Sequence, residues 1–591
     1  MQRPERAPDC VPRLGEGRCY DLAMIDALVG LAEPFFHDRS THNAIDEMAR
    51  LENVTIFVGA GASIERTGLT WAGMSAHLLD KDLGSYAERI SIVRTIGELA
   101  AASAIERQFQ KRFADEPKRA LTRAIHELLY GGSQVEPSYF NERVVALAND
   151  FVGASQSVVV VTPNYDDFLL GELSNLLRDG DASFQGVDVF AFGVTADGEA
   201  TTLTDEKRER LVASAADKTR ITLVHVHGLE QRELHADSQP DGDQVTIVLP
   251  DEHAYPVFSE GDYVATRTNT EEILGLLFRE RDIMVVGSSL TDPPLLHALT
   301  ERARAFHDRK CYAVRPLQGL DLSRLSDEVA ASFVEVERDR ASALGMNLVS
   351  PPFYFQAPQL LEEVRVALKL HRPPKGTRKR DYAGPGSSPR YGSRLESWWR
   401  AWRDDETISV PEMQSYAHSL LALAVLPVVR EVLDSDEDED MRLEAWVRWE
   451  PQSRELRLWA SSTGDWPEMD MARRERIGIG ANYPATTAFI NGAPTYATGP
   501  TQRTRWHSFL SKPVRYMQPE EEKYGGCHIQ VGVLSLSSMR SESTSSLNPR
   551  VKENAGILFN MLDAAGRALF APEERGVMIE SIARGEVTFS Y

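Results

Sequence analysis

Between residues 50 and 370, short runs of apolar, β-branched residues alternate with longer stretches whose apolar positions recur at helical spacing. The runs are NVTIFVG (53–59), SVVVVTPN (157–164), RITLVHVHG (220–228), QVTIVLP (244–250), RDIMVVGSS (281–289) and KCYAVRP (310–316). Most are apolar at nearly every position rather than at alternate ones, as in strands covered on both faces. Such strands separated by helices predict an α/β fold, a doubly wound, Rossmann-like parallel sheet. The helical stretch between the first two runs is too long for one crossover, and it predicts a helical insertion folded over the sheet edge. Residues 1–45 read as a helical or irregular lead-in.

The stretch HRPPKGTRKRDYAGPGSSPRYGSR (371–394) breaks this alternation. Rich in Pro, Gly, Ser and basic residues and without an apolar pattern, it predicts a solvated linker ahead of a contact with nucleic-acid or membrane phosphates. Beyond it the order changes. A helix (EMQSYAHSLLALAVLPVVREVL) precedes RLEAWVRWEP and SRELRLWASS, which suit a hairpin; IGIGANYPATTAFINGAPTYA, HIQVGVLSLSS and an amphipathic closing helix (AGILFNMLDAAGRALF) follow. The expected organisation is a lead-in (1–45), a large α/β domain (46–370), a linker (371–395) and a smaller α+β domain with an antiparallel sheet (396–591). The acidic run at 434–440 reads as an exposed, self-repelling loop ahead of a metal site. Trp398, Trp399 and Trp402 read as packing between domains or protomers rather than as a ligand box.

The length of 591 residues agrees with two or three domains. No apolar stretch approaches the roughly 20 residues needed to span a bilayer, and the N-terminus lacks the apolar core of a secretory signal, so a cytoplasmic protein is expected. A net charge of −23 argues against general affinity for nucleic acid, which needs clustered Lys and Arg. Cys10, Cys19, Cys311 and Cys527 are scattered without zinc-site spacing, so no metal is expected.

In open α/β sheets, ligands bind at the carboxyl ends of the strands. Four predicted ends are unusual. Gly59, Ala60, Gly61, Ala62 and Ser63 follow the first strand, and their poverty of side chains suits backbone approach to a pyrophosphate, with a helix N-terminus beyond; a tight turn is the other reading. Asn164 and Asp166 follow four valines, where unpaired polar groups would cost about 1–3 kcal/mol each. They need a loop, a helix to cap or a ligand. His225 and His227 share a strand face, but only His227 sits at the tip, beside Gly228, which leaves room for a substrate. His225 reads as structural. Gly287, Ser288 and Ser289, with Asp292 following, suit ribose or phosphate oxygens, or a helix cap.

Taken in order, these ends resemble the NAD-binding core of the sirtuins (Sir2). The resemblance covers about 50–370 and rests on GAGAS, GLTWAGM, TPNYD, HVHG and GSSL; ALGMNLVSPPFYFQ…LLEEVRVAL is similar to the tail of that core. The departures are informative. No cysteines lie between His227 and Gly287 to build the sirtuin zinc module, the loop after GAGAS reads LTWAGM in place of Pro-Asp-Phe-Arg, and Pro163 replaces the usual Gln. In these respects the chain resembles the Sir2-like domains of prokaryotic anti-phage effectors, which hydrolyse NAD. The resemblance implies NAD as substrate, without zinc. It makes Asn164 the residue that orients ribose and water, and His227 the general base. Asp166 would hold the carboxamide, residues 59–63 the pyrophosphate, and Ser288 and Ser289 the adenosine side; Trp71 would wall the nicotinamide pocket or pack in a lid. The smaller domain is similar, at pattern level, to GAF domains, which implies a small-molecule or phage trigger and a homo-oligomer. An NAD-dependent protein deacylase and a non-catalytic NAD or ADP-ribose sensor are the alternative readings.

Overall fold

The computed structural model describes residues 34–130, 138–230, 245–248, 255–306, 308–320, 327–372, 391–403, 410–449, 453, 455–464, 473–478, 481, 483–498, 505–516, 528–541, 544–574 and 584. Eight strands form one sheet: β1 (Val54–Val58), β2 (Val158–Thr162), β3 (Gly186–Ala191), β4 (Arg220–His225), β5 (Val245–Val248), β6 (Asp282–Val286), β7 (Cys311–Val314) and β8 (Asn347–Val349). The order is β5-β3-β4-β2-β1-β6-β7-β8, and every pairing is parallel. The six apolar runs all became strands. The sheet adds β3 and β8, which the runs did not announce. Asp188 interrupts β3 and is held there by Arg220 at 2.8 Å and by Ser214, so the strand reads as broken in the sequence. β8 is only three residues long and lies at the edge.

Arg281 ties the amino ends of the central strands together. Its guanidinium donates to the carbonyls of Val54, Ser157 and Ala215 and to the hydroxyls of Thr55 and Ser157, at 2.8–3.0 Å. A buried guanidinium with this many acceptors is satisfied rather than orphaned.

The helical insertion is present, but not over an edge. Helices Trp71–Leu78, Tyr86–Ile96, Glu98–Arg112 and Pro117–Tyr130 bury Met74, Val93, Ile105, Leu121 and Ile125 in a cluster that also takes in Tyr165 and Phe258. Since β1 and β2 are neighbours in mid-sheet, the segment joining them rises over the carboxyl ends of the strands. This is the position a cover over a ligand site requires.

The second unit has a six-stranded antiparallel sheet ordered β11-β10-β9-β14-β13-β12. Its strands are β9 (Met441–Arg448), β10 (Glu455–Ser461), β11 (Arg474–Arg476), β12 (Thr495–Thr498), β13 (Ser508–Tyr516) and β14 (Ile529–Ser538). The expected β9–β10 hairpin forms. β13 was illegible because Lys512 and Pro513 sit in its middle, and proline argues against an interior strand. Trp398 and Trp402 stack at 5.4 Å inside this unit and donate to the carbonyls of Phe570 and Leu569 on the closing helix Leu547–Phe570. They therefore pack within a domain rather than between domains.

Three further expectations change. Most of the linker lies outside the described residues, but its end is not solvated: helix Tyr391–Arg403 begins there, and Arg394 is buried on Glu363 at 2.8 Å. In the acidic run, Asp436 and Asp438 are exposed against Arg540, whereas Glu439 is buried and accepts from Ser538 and Ser545 at 2.5 and 3.0 Å. One helical segment, Val410–Val432, does reach membrane-spanning length and composition at a mean hydropathy of 1.2. Its Met413, Ala417, Leu420, Leu421, Val425 and Val429 are nonetheless buried at helical spacing in the core.

The units share one apolar cluster. Phe355 lies 5.4 Å from Phe489, its N–H reaches the Ile490 carbonyl, and Arg515 pairs with Glu65 at 2.6 Å.

Candidate functional site

The four unusual ends belong to β1, β2, β4 and β6, which are contiguous in the sheet as β4-β2-β1-β6. The sheet thus gathers them at its centre, under the helical cover.

Ser63 is the hub. Its Oγ donates to Asp166 Oδ2 at 2.6 Å and accepts from Asn164 Nδ2 at 2.8 Å. Asn164 Nδ2 also donates to the Gly59 carbonyl at 3.2 Å, and Asp166 Oδ1 accepts from the Phe168 N–H at 3.3 Å. The polar groups after β2 therefore find partners in the glycine loop, in one another and in the next helix, Phe168–Asp179. All three side chains are buried.

The glycines have a reason that the sequence did not disclose. A Cβ at Gly59 would lie 2.6 Å from the Gly287 carbonyl oxygen, and one at Gly61 would lie 2.7 Å from it. Gly61 N–H donates to that oxygen at 2.8 Å. Gly59 has ordinary extended backbone, so close approach alone demands glycine there. Gly228 is similar: the room beside it is taken by the backbone of Tyr255 and Pro256. The helix after the glycine loop, Ile64–Thr67, is a single turn, so the expected help from a helix dipole is small.

His225 is fully buried, and its Nδ1 lies 3.1 Å from the Asn164 carbonyl; burial lowers it to about 4. It holds the tip of β4 against the loop after β2, in keeping with its structural reading. His227 Nδ1 lies 3.4 Å from the Tyr263 hydroxyl, which Trp71 also hydrogen-bonds. Its Nε2 is buried without a hydrogen-bond partner among the described residues, as is the Nε2 of His225 deeper in the strand. Burial holds His227 below the ordinary imidazole range, while the charge of Asp292 pulls the other way. Asp292 caps helix Pro293–Ala305 through Leu295 N–H at 3.2 Å. Trp71 rests 4.9 Å from Phe258 in the cover.

Ser288 and Ser289 are not drawn into this group. Ser288 Oγ accepts from Leu290 N–H, and Ser289 is exposed and bonded to Thr291. Ala60 is exposed and Ala62 packs in the core. Two participants were missed. Tyr263 lies in helix Glu260–Phe278, whose Ser-x-x-Asp capping box is legible, but nothing local says that its first turn meets His227. Arg66 lies over the Phe168 ring at 4.3 Å, and its charge favours ionised Asp166.

Residues 158–336 match the family described as the SIR2-like domain. SIR2-like domains are in general NAD-dependent enzymes. The matched span holds Asn164, Asp166, His227 and residues 287–292; the glycine loop, Trp71 and the second unit lie outside it. No curated protein matches the chain. Among the described residues, no group of three or more His, Cys, Asp or Glu side chains could hold a metal ion.

Burial raises the Asp166 carboxyl to about 6, against the pull of its bonds to Ser63 and Phe168. The folded state thus holds a proton that the unfolded chain has released above about pH 4. The contribution of Asp166 to stability is complete below that pH and is lost as pH rises through about 6. At pH 7 its ionised form costs the fold about 3 kcal/mol. Asp166→Asn is expected to raise the melting temperature at pH 7–8, with a gain that shrinks toward pH 4. Melting curves across pH check this; a gain of equal size at both ends contradicts it.

Proposed function

We propose that the chain hydrolyses the nicotinamide–ribose bond of NAD to give nicotinamide and ADP-ribose. The observation that carries this reading is the buried Nε2 of His227, unpartnered among the described residues and, unlike that of His225, placed past the end of β4, where the Asn164–Ser63–Asp166 network follows the neighbouring β2. An orphaned buried nitrogen costs about 1–3 kcal/mol, and such a cost is met where a ligand completes the site. The SIR2-like match supplies the substrate class.

The bond to nicotinamide breaks with its electron pair leaving on the pyridine nitrogen, and water bonds to the ribose carbon. His227, neutral at pH 7, takes the proton released by that water. Which nitrogen is free depends on Tyr263. With His227 Nδ1–H donating to the tyrosine oxygen, Nε2 keeps its lone pair, as base action requires. The Trp71 N–H on the same oxygen helps hold Tyr263 in place. Asn164 presents its carbonyl oxygen, since its amide nitrogen is engaged by Gly59 and Ser63. The cover around Trp71 and Phe258 limits water to what the site admits.

In this reading the protein is a cytoplasmic anti-phage effector that depletes NAD, and the GAF-like second unit acts as its sensor or assembly domain in a homo-oligomer. The separate antiparallel sheet and its contact with Glu65 support a controlling role. The test is nicotinamide release by the purified full-length chain, and NAD content in cells with and without phage, for wild type and Asn164→Ala. Loss of NAD in the wild type alone is the expected result. NAD consumed only with an acetylated peptide would point to a deacylase. Unchanged NAD in both, together with NAD binding, would point to a sensor.

A further inference from the structure

A cavity of about 530 Å³ opens between the two units. That is the size range of small-molecule sites, roughly 300–1,000 Å³. The first unit contributes Glu65 and Glu142, and the second contributes Lys512, Arg515 and His528. Asn560, Asp563, Ala564 and Arg567 complete the lining from the closing helix, where i, i+3, i+4 and i+7 fall on one face.

Most of the charges in this lining are matched. Arg515 pairs with Glu65 at 2.6 Å, Lys512 with Asp563 at 2.8 Å, and Glu142 with Arg143 at 3.2 Å. What remains is Arg567, an exposed guanidinium with no partner among the described residues, and, about two turns away on the same helix face, Asn560, whose amide has no partner among the described residues either. His528 adds an Nδ1 that is shut off from solvent and has no hydrogen-bond partner among the described residues. Burial and the guanidiniums of Arg143 and Arg515 hold that imidazole neutral, at about 4. The lining as a whole is balanced, Glu65, Glu142 and Asp563 against Lys512, Arg515 and Arg567, so in a chain of net charge −23 it escapes the general negative excess and leaves the Arg567 charge open to an incoming anion.

Glu65 connects the cavity with the glycine loop. Besides Arg515, it accepts from Phe140 N–H at 2.9 Å and from Ser138 Oγ at 3.3 Å. It lies two residues beyond Ser63, which holds Asn164 and Asp166. An anion that competes for Arg515 therefore loosens a carboxylate anchored just past the end of the glycine loop.

We propose that this cavity binds a small molecule bearing oxyanions, a phosphate ester or a polycarboxylate, through Arg567, Asn560 and Arg515, and that its occupancy reaches the glycine loop through Glu65. The second half rests on the reading of that loop as an NAD site; the first half does not.

The test uses the full-length chain with inorganic pyrophosphate and, separately, citrate, read by calorimetry and melting temperature. One of the two anions is expected to bind, which tells the two chemistries apart. Arg567→Gln and Arg567→Glu are expected to weaken that binding about tenfold or more, the loss of a charge-assisted contact. Arg567 is exposed, so both variants should melt like wild type without anion. Binding of neither anion, or binding unchanged in both variants, overturns the site. For the coupling, nicotinamide release is followed with and without the bound anion. Glu65→Gln should still bind it but no longer change rate in response; a full response in Glu65→Gln overturns the coupling. Binding that depends on Arg567, with no NAD cleavage under any condition, would sink the NAD reading and leave the site standing. Cleavage with no anion bound would do the reverse.

Discussion

His227→Gln is expected to lower nicotinamide release about 10²–10⁴-fold, the usual worth of a positioned general base. Glutamine is the informative replacement, because it fills most of the space at a buried position and can still hydrogen-bond Tyr263. A simple cavity is thereby avoided. The loss should fall on kcat rather than KM, since a base acts on the water and not on substrate held in the ground state. The pH profile adds a second reading. His227 must be neutral to accept a proton, so activity should fall on the acid side as the imidazole becomes charged. Chromatographic measurement of nicotinamide against pH checks both. A His227→Gln protein within a few-fold of wild type, folded and with an unchanged pH profile, would remove His227 from the chemistry.

The parallel sheet was legible because burial on both faces writes itself as unbroken apolar runs. The runs at 53–59, 157–164, 220–228 and 281–289 mark the four strands that carry the site. What failed to show were strands with a polar interruption that only tertiary contact explains. Asp188 in β3 is paired with Arg220, and Lys512 in β13 reaches Asp563. A residue such as Tyr263 is invisible for another reason. Its partner His227 is distant in sequence, and their meeting is fixed by where helix Glu260–Phe278 docks. Arg394 and Glu439 show the same limit from the opposite side. Their neighbours in sequence predict solvent, and their neighbours in space are Glu363 and a group of serines. Pattern reports how much of a segment is buried; it does not report against what.

The glycine loop is where these two kinds of information diverge most, and it carries the largest expected effect on stability. If Gly59 and Gly61 served only to admit a pyrophosphate, alanine at either position would weaken NAD binding and leave the unliganded protein as stable as before. The structure requires more. Either Cβ would come within 2.7 Å of the Gly287 carbonyl oxygen, and at Gly59 also within 2.6 Å of Ser288 Cα. These are backbone atoms and cannot swing aside as a side chain would. Gly287 itself has a φ of +64°, and its own Cβ would meet the Ala62 nitrogen at 3.0 Å, so the opposing strand end has no slack to give. Gly59→Ala and Gly61→Ala are therefore expected to cost about 3 kcal/mol or more each, at the upper end of overpacking. The cost should appear as a lowered melting temperature without any NAD present. The damage should reach Ser63 as well, because the loop that shifts also carries the hydroxyl between Asn164 and Asp166. NAD binding would then fall through lost geometry rather than through a blocked cradle. Melting the two variants without ligand separates the cases. Wild-type melting temperatures with weakened NAD binding would mean that the loop yields and the glycines serve the ligand alone. A large drop would mean that β1 and β6 need these glycines to meet, and that the close-packed strand ends are what brings Asn164, Ser63 and Asp166 together.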